Sequence, residues 1–271
     1  MDAFDLLTQI TSDTIDLILT DPPYGISHEM TINRGSQGKF SGNDLTSDYG
    51  EWDKFDDVKS YYGFTDKWMY EACRVLRPGG TLISFFDKKK ITYLYEIGEM
   101  YGLEMRDEVA WVKSNPVPQV RKVKFAQAVE VAGILQKPGD TTFNWQLGYH
   151  PNYHKAPIVG GHERLKDEDG NTLHPTQKPE SLMRWLIDYF SNPWDVVLDP
   201  FCGVGTVAVE CWKSTRMFIC ADINEEYCEA GRKRLLGTQK ELFEAEDIAN
   251  KLCEFGIIDY QSHEYKEKHR C

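Results

Sequence analysis

Apolar residues along the chain fall into short β-branched runs that alternate with stretches carrying apolar positions at helical spacing. The first run, Thr14-Ile15-Asp16-Leu17-Ile18-Leu19-Thr20, stops at Asp21-Pro22-Pro23, where consecutive prolines cannot continue a ladder. Asp21 is therefore expected at a strand's carboxyl end. Residues 64–77 carry Trp68, Ala72, Val75 and Leu76 on one side and run into Pro78-Gly79-Gly80, which predicts a helix, then a strand over 81–86. Further strands are expected over 104–112 and 129–136. The pattern then dissolves from 137 to 173 into Pro, Gly, Asn, His and Asp with scattered aromatics, too long for an ordinary connection. Alternation resumes with a helix over 179–190, where Leu182, Trp185, Leu186 and Tyr189 keep helical spacing, and continues as strand 196–198, helix 205–212, strand 217–220 and helix 225–236. Such an order predicts an α/β fold on an open, mostly parallel, doubly wound sheet. Residues after Gly237 are charged with sparse apolar positions and are expected to form a loosely packed helical tail.

At 271 residues with 41% hydrophobic and 27% charged, the chain suits one large domain, or one domain with a long insertion, and not a disordered, collagen-like or coiled-coil chain. No apolar run approaches the roughly 20 residues of a spanning helix. Met1 leads into Asp2 and Asp5 instead of a basic stretch, so a cytoplasmic protein without a membrane segment is expected. The seven cysteines include no CxxC pair and are expected to be thiols. A net charge of -12 speaks against a surface that grips polyanions everywhere, but leaves room for a local basic groove.

Four constellations carry chemistry. Asp21-Pro22-Pro23-Tyr24-Gly25 combines a carboxylate, a stiff turn with few N–H donors and an aromatic ring. It suits a planar group bearing an exocyclic NH2, which would donate to Asp21 and to the Pro22 carbonyl while Tyr24 stacks on the plane. Next, Asp199-Pro200-Phe201-Cys202-Gly203-Val204-Gly205-Thr206 places glycines between a strand and a helix, where a nucleotide can approach the backbone. Position 208 is Ala and no Walker lysine follows, so a mononucleoside without pyrophosphate fits better than a dinucleotide. Asp222, followed by Ile223, stands after a strand about 20 residues beyond the glycines, where an acid can hold two ribose hydroxyls. Lastly, in His174-Pro175-Thr176-Gln177-Lys178-Pro179, Pro179 is placed to start a helix, and Thr176 and Lys178 near its N-terminus favour a carboxylate.

Together these residues resemble the S-adenosylmethionine-dependent amino-group DNA methyltransferases that make N6-methyladenine or N4-methylcytosine. Asp21, Pro22, Pro23 and Tyr24 match the catalytic motif, Phe201-x-Gly203-x-Gly205 the cofactor loop, Asp222 the ribose acid, and 174–179 the methionine-side motif. Leu76-Arg77-Pro78-Gly79-Gly80 and Trp111-Val112-Lys113-Ser114-Asn115 belong to the same likeness, which spans 13–236. The catalytic motif precedes the cofactor motif, the permuted order of the beta group. The resemblance implies a Rossmann-like methyltransferase fold with a catalytic half (1–136), an inserted target-recognition segment (137–173), a cofactor half (174–236) and the tail (237–271). It also implies S-adenosylmethionine as cofactor, held by Asp2, Asp21, Thr176, Lys178, Asp199, Phe201, Cys202, Gly203, Gly205, Thr206, Asp222 and Ile223.

This chain departs from the family where a strand ending in Gly-Asp usually supplies an acid to the cofactor's adenine: only Met1 stands before Asp2. Asp2 is one candidate for that role, and Asp259 after Phe255-Gly256-Ile257-Ile258 is the other. The short recognition segment implies a short target or a partner subunit, with a homodimer as one form. Double-stranded DNA is the implied substrate. Arg34 and Lys39 in a Gly-Ser-rich loop, with Lys113, Arg121, Lys122 and Lys124, are the candidate phosphate contacts. His150, His154 and His162 lack a well-spaced fourth ligand, so no metal is expected. The implied activity is methyl transfer to a flipped base, with adenine N6 favoured by Asp at the first catalytic position. Cytosine N4 transfer and a non-catalytic DNA-binding subunit of the same fold remain the alternatives.

Overall fold

The computed structural model describes residues 1–25, 28–32, 45–47, 55, 57–119, 122–148 and 151–238. The chain runs α1 (Ala3–Gln9), β1 (Ile15–Thr20), β2 (His28–Ile32), β3 (Leu45–Ser47), α2 (Val58–Val75), β4 (Leu76–Phe86), α3 (Ile91–Met100), β5 (Glu104–Lys113) and β6 (Val129–Gln136). It continues as β7 (Tyr153–Ala156), α4 (Glu180–Phe190), β8 (Val196–Asp199), α5 (Thr206–Lys213), β9 (Met217–Cys220) and α6 (Glu225–Gly237). Seven strands form one sheet in the order β7-β5-β6-β4-β1-β8-β9, and β2 pairs with β3 apart from it. Within the sheet β6 runs against its neighbours β4 and β5, whereas the pairs β5/β7, β4/β1, β1/β8 and β8/β9 are parallel.

Alternation along the strands explains why helices cover both faces. Ile15 and Ile18 of β1, Leu82 and Phe86 of β4, and Val196 and Leu198 of β8 point into one core, closed by Tyr61, Trp68, Met69 and Ala72 of α2 and Leu94 and Ile97 of α3. Leu17 and Leu19, Ile83 and Phe85, and Val197 point into the other, closed by Leu182, Met183, Leu186 and Ile187 of α4 and Val207 and Cys211 of α5. This is the expected doubly wound arrangement. Chain connections leave β1 towards β4 on one side and β8 towards β9 on the other, so the crevice beyond the ends of β1 and β8 is the switch point of the sheet, where such folds bind ligands.

Local chemistry accounts for the elements that differ from expectation. Helix α2 starts at Val58, six residues before position 64, because Asp57 and Ser60 form a capping box. It also ends earlier, at Val75, since Leu76 already pairs with Ile15 and the residues up to Gly80 bulge within β4 before Thr81 pairs with Leu17. Helix α1, capped by the Asp2 side chain, was not legible in the apolar pattern. The segment 137–173 is not wholly outside the sheet, because β7 pairs along β5 and the Trp111 indole donates to Ala156 O at 3.0 Å. Among the described residues no helix is long and apolar enough to cross a membrane, and the five described cysteines form no disulfide. The proposed tail from 239 onward, including Asp259, lies outside the described residues.

Gly79 closes the bulge. Its N–H donates to Lys137 O at 3.0 Å, its φ is +79°, and a Cβ there would lie 1.8 Å from the Asp140 carbonyl oxygen. Gly79→Ala combines backbone strain with a clash against main chain, so it should destabilise the protein by on the order of 1–3 kcal/mol. An unchanged denaturation midpoint in urea would show that the turn at 137–140 yields freely.

Candidate active site

The ends of β1 and β8 lie side by side, with Leu17 opposite Val197 and Ile18 opposite Leu198. Beyond them opens a cavity of about 440 Å³ lined by Asp21, Pro22, Pro23 and Tyr24 from the first strand end and by Asp199, Phe201, Cys202, Gly203 and Thr206 from the second. Its size is that of an ordinary small-molecule site. Two motifs far apart in sequence, beginning at Asp21 and Asp199, therefore share one wall.

Asp21 uses both of its carboxylate oxygens. Oδ1 accepts from the Tyr24 hydroxyl at 2.5 Å, and Oδ2 accepts from the Lys178 ammonium. Burial raises the Asp21 carboxyl above its usual range, and the neighbouring Lys178 only partly offsets this. Burial by itself would depress Lys178, yet the carboxylates of Asp21 and Glu130 hold it above its ordinary value. The turn after Asp21 is pinned from the other side by the Lys90 ammonium, which donates to the Tyr24 carbonyl at 2.6 Å and lies 4.0 Å from the Tyr61 ring centroid. Lys90 stands at the N-cap position of α3 without a side-chain cap, which leaves its side chain to shape the catalytic turn.

The glycine loop is a cradle. Gly203 and Gly205 have φ of +50° and +74°, and a Cβ on Gly203 would meet His174 Nε2 at 2.8 Å. Asp222 reaches back to it, its Oδ2 accepting from Gly203 N–H at 2.9 Å and its Oδ1 from Asn224 N–H at 2.8 Å. The cap of α6 is Asn224, which accepts from the N–H groups of Glu226 and Tyr227, so Asp222 is left facing the cavity. Behind the loop, Arg234 donates to the Val204 carbonyl at 2.7 Å and to the Thr206 hydroxyl at 3.2 Å. Phe201 packs edge-on against Trp68 at 5.9 Å, and Ile223, 69% exposed, forms an apolar lip. Asp199 is buried, and its Oδ1 accepts from the Thr20 hydroxyl at 2.7 Å and from Phe201 N–H at 3.2 Å. Burial pushes its carboxyl up to about 7.

Other expected residues fall in different places. Asp2 lines the cavity while its side chain accepts from Phe4 N–H at 2.8 Å. Thr176 also lines it, but Lys178 is turned away from the helix end towards Asp21 and Glu130. One N–H at the α4 start is engaged within the protein, where Glu163 Oε1 accepts from Glu180 N–H at 2.8 Å. Lys113, expected to face DNA, pairs with Glu130 at 2.5 Å with its side chain 13% exposed. Lys122 and Lys124 are exposed on the loop between β5 and β6, whereas Arg34, Lys39 and Arg121 lie outside the described residues. Among the described residues no group of His, Cys, Asp and Glu could hold a metal ion.

Glu130 carried no functional expectation from the sequence, and Trp111 stood there only within the family likeness, with no role in the site. Both line the cavity from the β5–β6 hairpin, and Glu130 joins Lys178 and Lys113 in one charge cluster. Burial would raise the Glu130 carboxyl, but the two ammonium groups hold it below its usual range. A lone Glu near the start of a strand carries no signal of this role.

Comparison with known proteins agrees with this geometry. A family model described as DNA methylase, covering N6 and N4 methyltransferases, matches residues 15–233. The chain is 31% identical to the type II methyltransferase M2.DpnII of Streptococcus pneumoniae over 242 residues, covering 86% of this chain and 87% of that one. It is 35% identical to the type II methyltransferase M.HinfI of Haemophilus influenzae over 246 residues and spans 86% of itself but 66% of that protein's length. The crystal structure of the M1.HpyAVI–SAM complex superposes with a TM-score of 0.66 at 25% identity, covering 87% of this chain and 96% of that one.

Asp199 yields a test in pH. Its folded value of about 7 lies above the ordinary 3.8, so its contribution to stability is full below about pH 4 and is lost as pH rises towards 7. Unfolding free energies of the wild type and Asp199→Asn, measured across that window without cofactor, should diverge. The wild type should lose up to about 1.4 kcal/mol per pH unit relative to the variant. Parallel curves would show that Asp199 is ionised at neutral pH.

Proposed function

The chain belongs to the N6/N4 DNA methylase family, whose methyl donor is S-adenosylmethionine, and from that premise we propose that it methylates the N6 amine of an adenine swung out of a DNA duplex. The reading is carried by one observation: the acceptor-rich turn of Asp21 and Tyr24 and the glycine cradle with Asp222 face the same cavity. In this proposal residues 1–136 form the catalytic half, 174–236 the cofactor half, and 137–173 the segment that reads the target. The shortness of that segment supports action as a homodimer on DNA, in the cytoplasm.

The residues present fit the cofactor. Gly203 brings bare backbone to the cavity wall while Gly205 lets the loop pass close to the Gly231 main chain, Asp222 offers oxygens to a ribose diol, and Phe201 and Ile223 supply apolar surface beside them. Thr176 offers a hydroxyl at the amino-acid end, and Asp2 stands near the adenine end as acceptor. When bound, S-adenosylmethionine supplies an electrophilic methyl group on a sulfonium sulfur.

The chain's own work is on the amine. A duplex hides the exocyclic nitrogen, so the base must leave the stack, and the Tyr24 ring offers a face that returns part of the unstacking cost. Asp21 and the Pro22 carbonyl draw the two N–H groups into hydrogen bonds, which localises the nitrogen lone pair for in-line attack. Asp21 then stands where the departing amine proton can be received, and its raised carboxyl suits an acceptor. The Tyr24 hydroxyl, fixed on Oδ1, orients that carboxylate. Lys122 and Lys124, exposed on the loop that borders the cavity through Val117, support phosphate contact at the rim.

Asp21→Ala should abolish methyl transfer while retaining most cofactor affinity, because its partner is the amine in the transition state. Asp222→Ala should do the reverse, weakening S-adenosylmethionine binding by on the order of 1.5–3 kcal/mol in calorimetric titration. Either variant behaving like the wild type removes that residue from the site. Digesting treated DNA to nucleosides for mass spectrometry should yield N6-methyladenine, and N4-methylcytosine without it would overturn the choice of base.

A further inference from the structure

Both oxygens of Asp21 are occupied, yet the proposed reaction requires one of them for the incoming amine. Tyr24 holds Oδ1 from three residues away, on a ring the reaction needs in place. Lys178 holds Oδ2, and it is the donor that a base must displace. Its side chain is only 6% exposed, so a displaced ammonium has no route to bulk water without repacking. An unpaired buried ammonium is strongly unfavourable. A second acceptor has to be within reach.

Glu130 is that acceptor. Its Oε2 lies 3.5 Å from Lys178 Nζ, is closed off from solvent and has no hydrogen-bond partner, while Oε1 is engaged by Lys113 at 2.5 Å. The four groups line up with alternating sign, Asp21, Lys178, Glu130, Lys113, and sum to zero formal charge. We infer that Glu130 is a positioning residue that receives the Lys178 ammonium when the target base takes its place on Asp21. Lys178 thus caps the catalytic carboxylate while the pocket is empty of a base, and closes the 3.5 Å gap to Glu130 Oε2 when a base enters. No proton or electron changes hands in this step. The cluster stays neutral throughout, because the ammonium exchanges one carboxylate partner for another. Lys113 anchors Glu130 from the far side, so the carboxylate stays in place and the ammonium moves.

Glu130→Gln keeps the shape and removes the charge, so Lys178 should remain pinned to Asp21 and compete with the base. Methyl transfer in a single turnover, at saturating S-adenosylmethionine and DNA, should fall about 10- to 100-fold, the equivalent of one hydrogen bond to a charged partner. Cofactor affinity should be unchanged. Replacing Lys178 by Met in the Glu130→Gln background removes the competitor, so the double variant should be faster than Glu130→Gln alone. A purely structural Glu130 predicts instead that rates follow the folded fraction seen by circular dichroism and that the second substitution restores nothing at equal folded fraction. A fully folded Glu130→Gln at wild-type rate, or a double variant no faster than the single one, overturns the inference. It rests on the reading of Asp21 given above, and the two fail separately: a wild type that makes no methylated nucleoside overturns that reading and this inference with it, whereas an active wild type with a fast Glu130→Gln overturns this inference alone.

Discussion

The parallel pairing of β1 with β8 is the constraint from which the site follows, because it sets Asp21 and Asp199 at neighbouring strand ends. Two carboxylates brought together out of water repel one another and lose solvation. The protein treats them differently. Asp199, with no cation among its hydrogen-bond partners, takes the Thr20 hydroxyl and Phe201 N–H and has its carboxyl pushed up to about 7. Asp21 is given the Lys178 ammonium and the Tyr24 hydroxyl. One acid is thereby suited to bracing the two strand ends, the other to holding a donor that can be exchanged.

The same pairing explains why the motifs can occur in permuted order. The sheet reverses direction of progress between β1 and β8, and a crevice at such a reversal is built from whichever two strand ends meet there. Which of them comes first in the chain does not matter to the cavity. The intervening segment only has to leave from one edge and return. Here it does so by way of β6, the strand running against its neighbours, and β7 along β5, so the β5–β6 hairpin delivers Trp111, Lys113 and Glu130 to the cavity wall.

Backbone pinning supports this arrangement at several points outside the cavity. Lys90 holds the carbonyls of Tyr24 and Gly25, Arg234 holds the back of the glycine loop, and Arg164 ties the 157–173 segment to His174 and Pro175 through their carbonyl oxygens. Each replaces flexible main chain with a charged donor on a carbonyl, which is stronger than a neutral hydrogen bond. Turns rich in Pro and Gly have few internal hydrogen bonds, and these long side chains supply the missing ones.

The sequence by itself determined the strand runs, their alternation with helices, and the placement of Asp21, Gly203, Gly205 and Asp222 at strand ends, because these rest on local rules: side-chain period, proline's missing N–H, and the glycine freedom to adopt positive φ. What it could not determine depends on contacts between distant residues. Lys178 stands beside Pro179 in a helix-start motif, yet its charge is satisfied by Asp21 and Glu130, 157 and 48 positions away. Lys113 looks like part of a basic stretch and is a partly buried partner of Glu130. At the α4 N-terminus, legible as favouring an anion, Glu163 from the inserted segment accepts from the Glu180 N–H. Long side chains carry charge farther than local backbone rules reach, and in a buried pocket the partner is chosen by which opposite charge the fold brings within a few ångströms. Only the tertiary structure decides that choice.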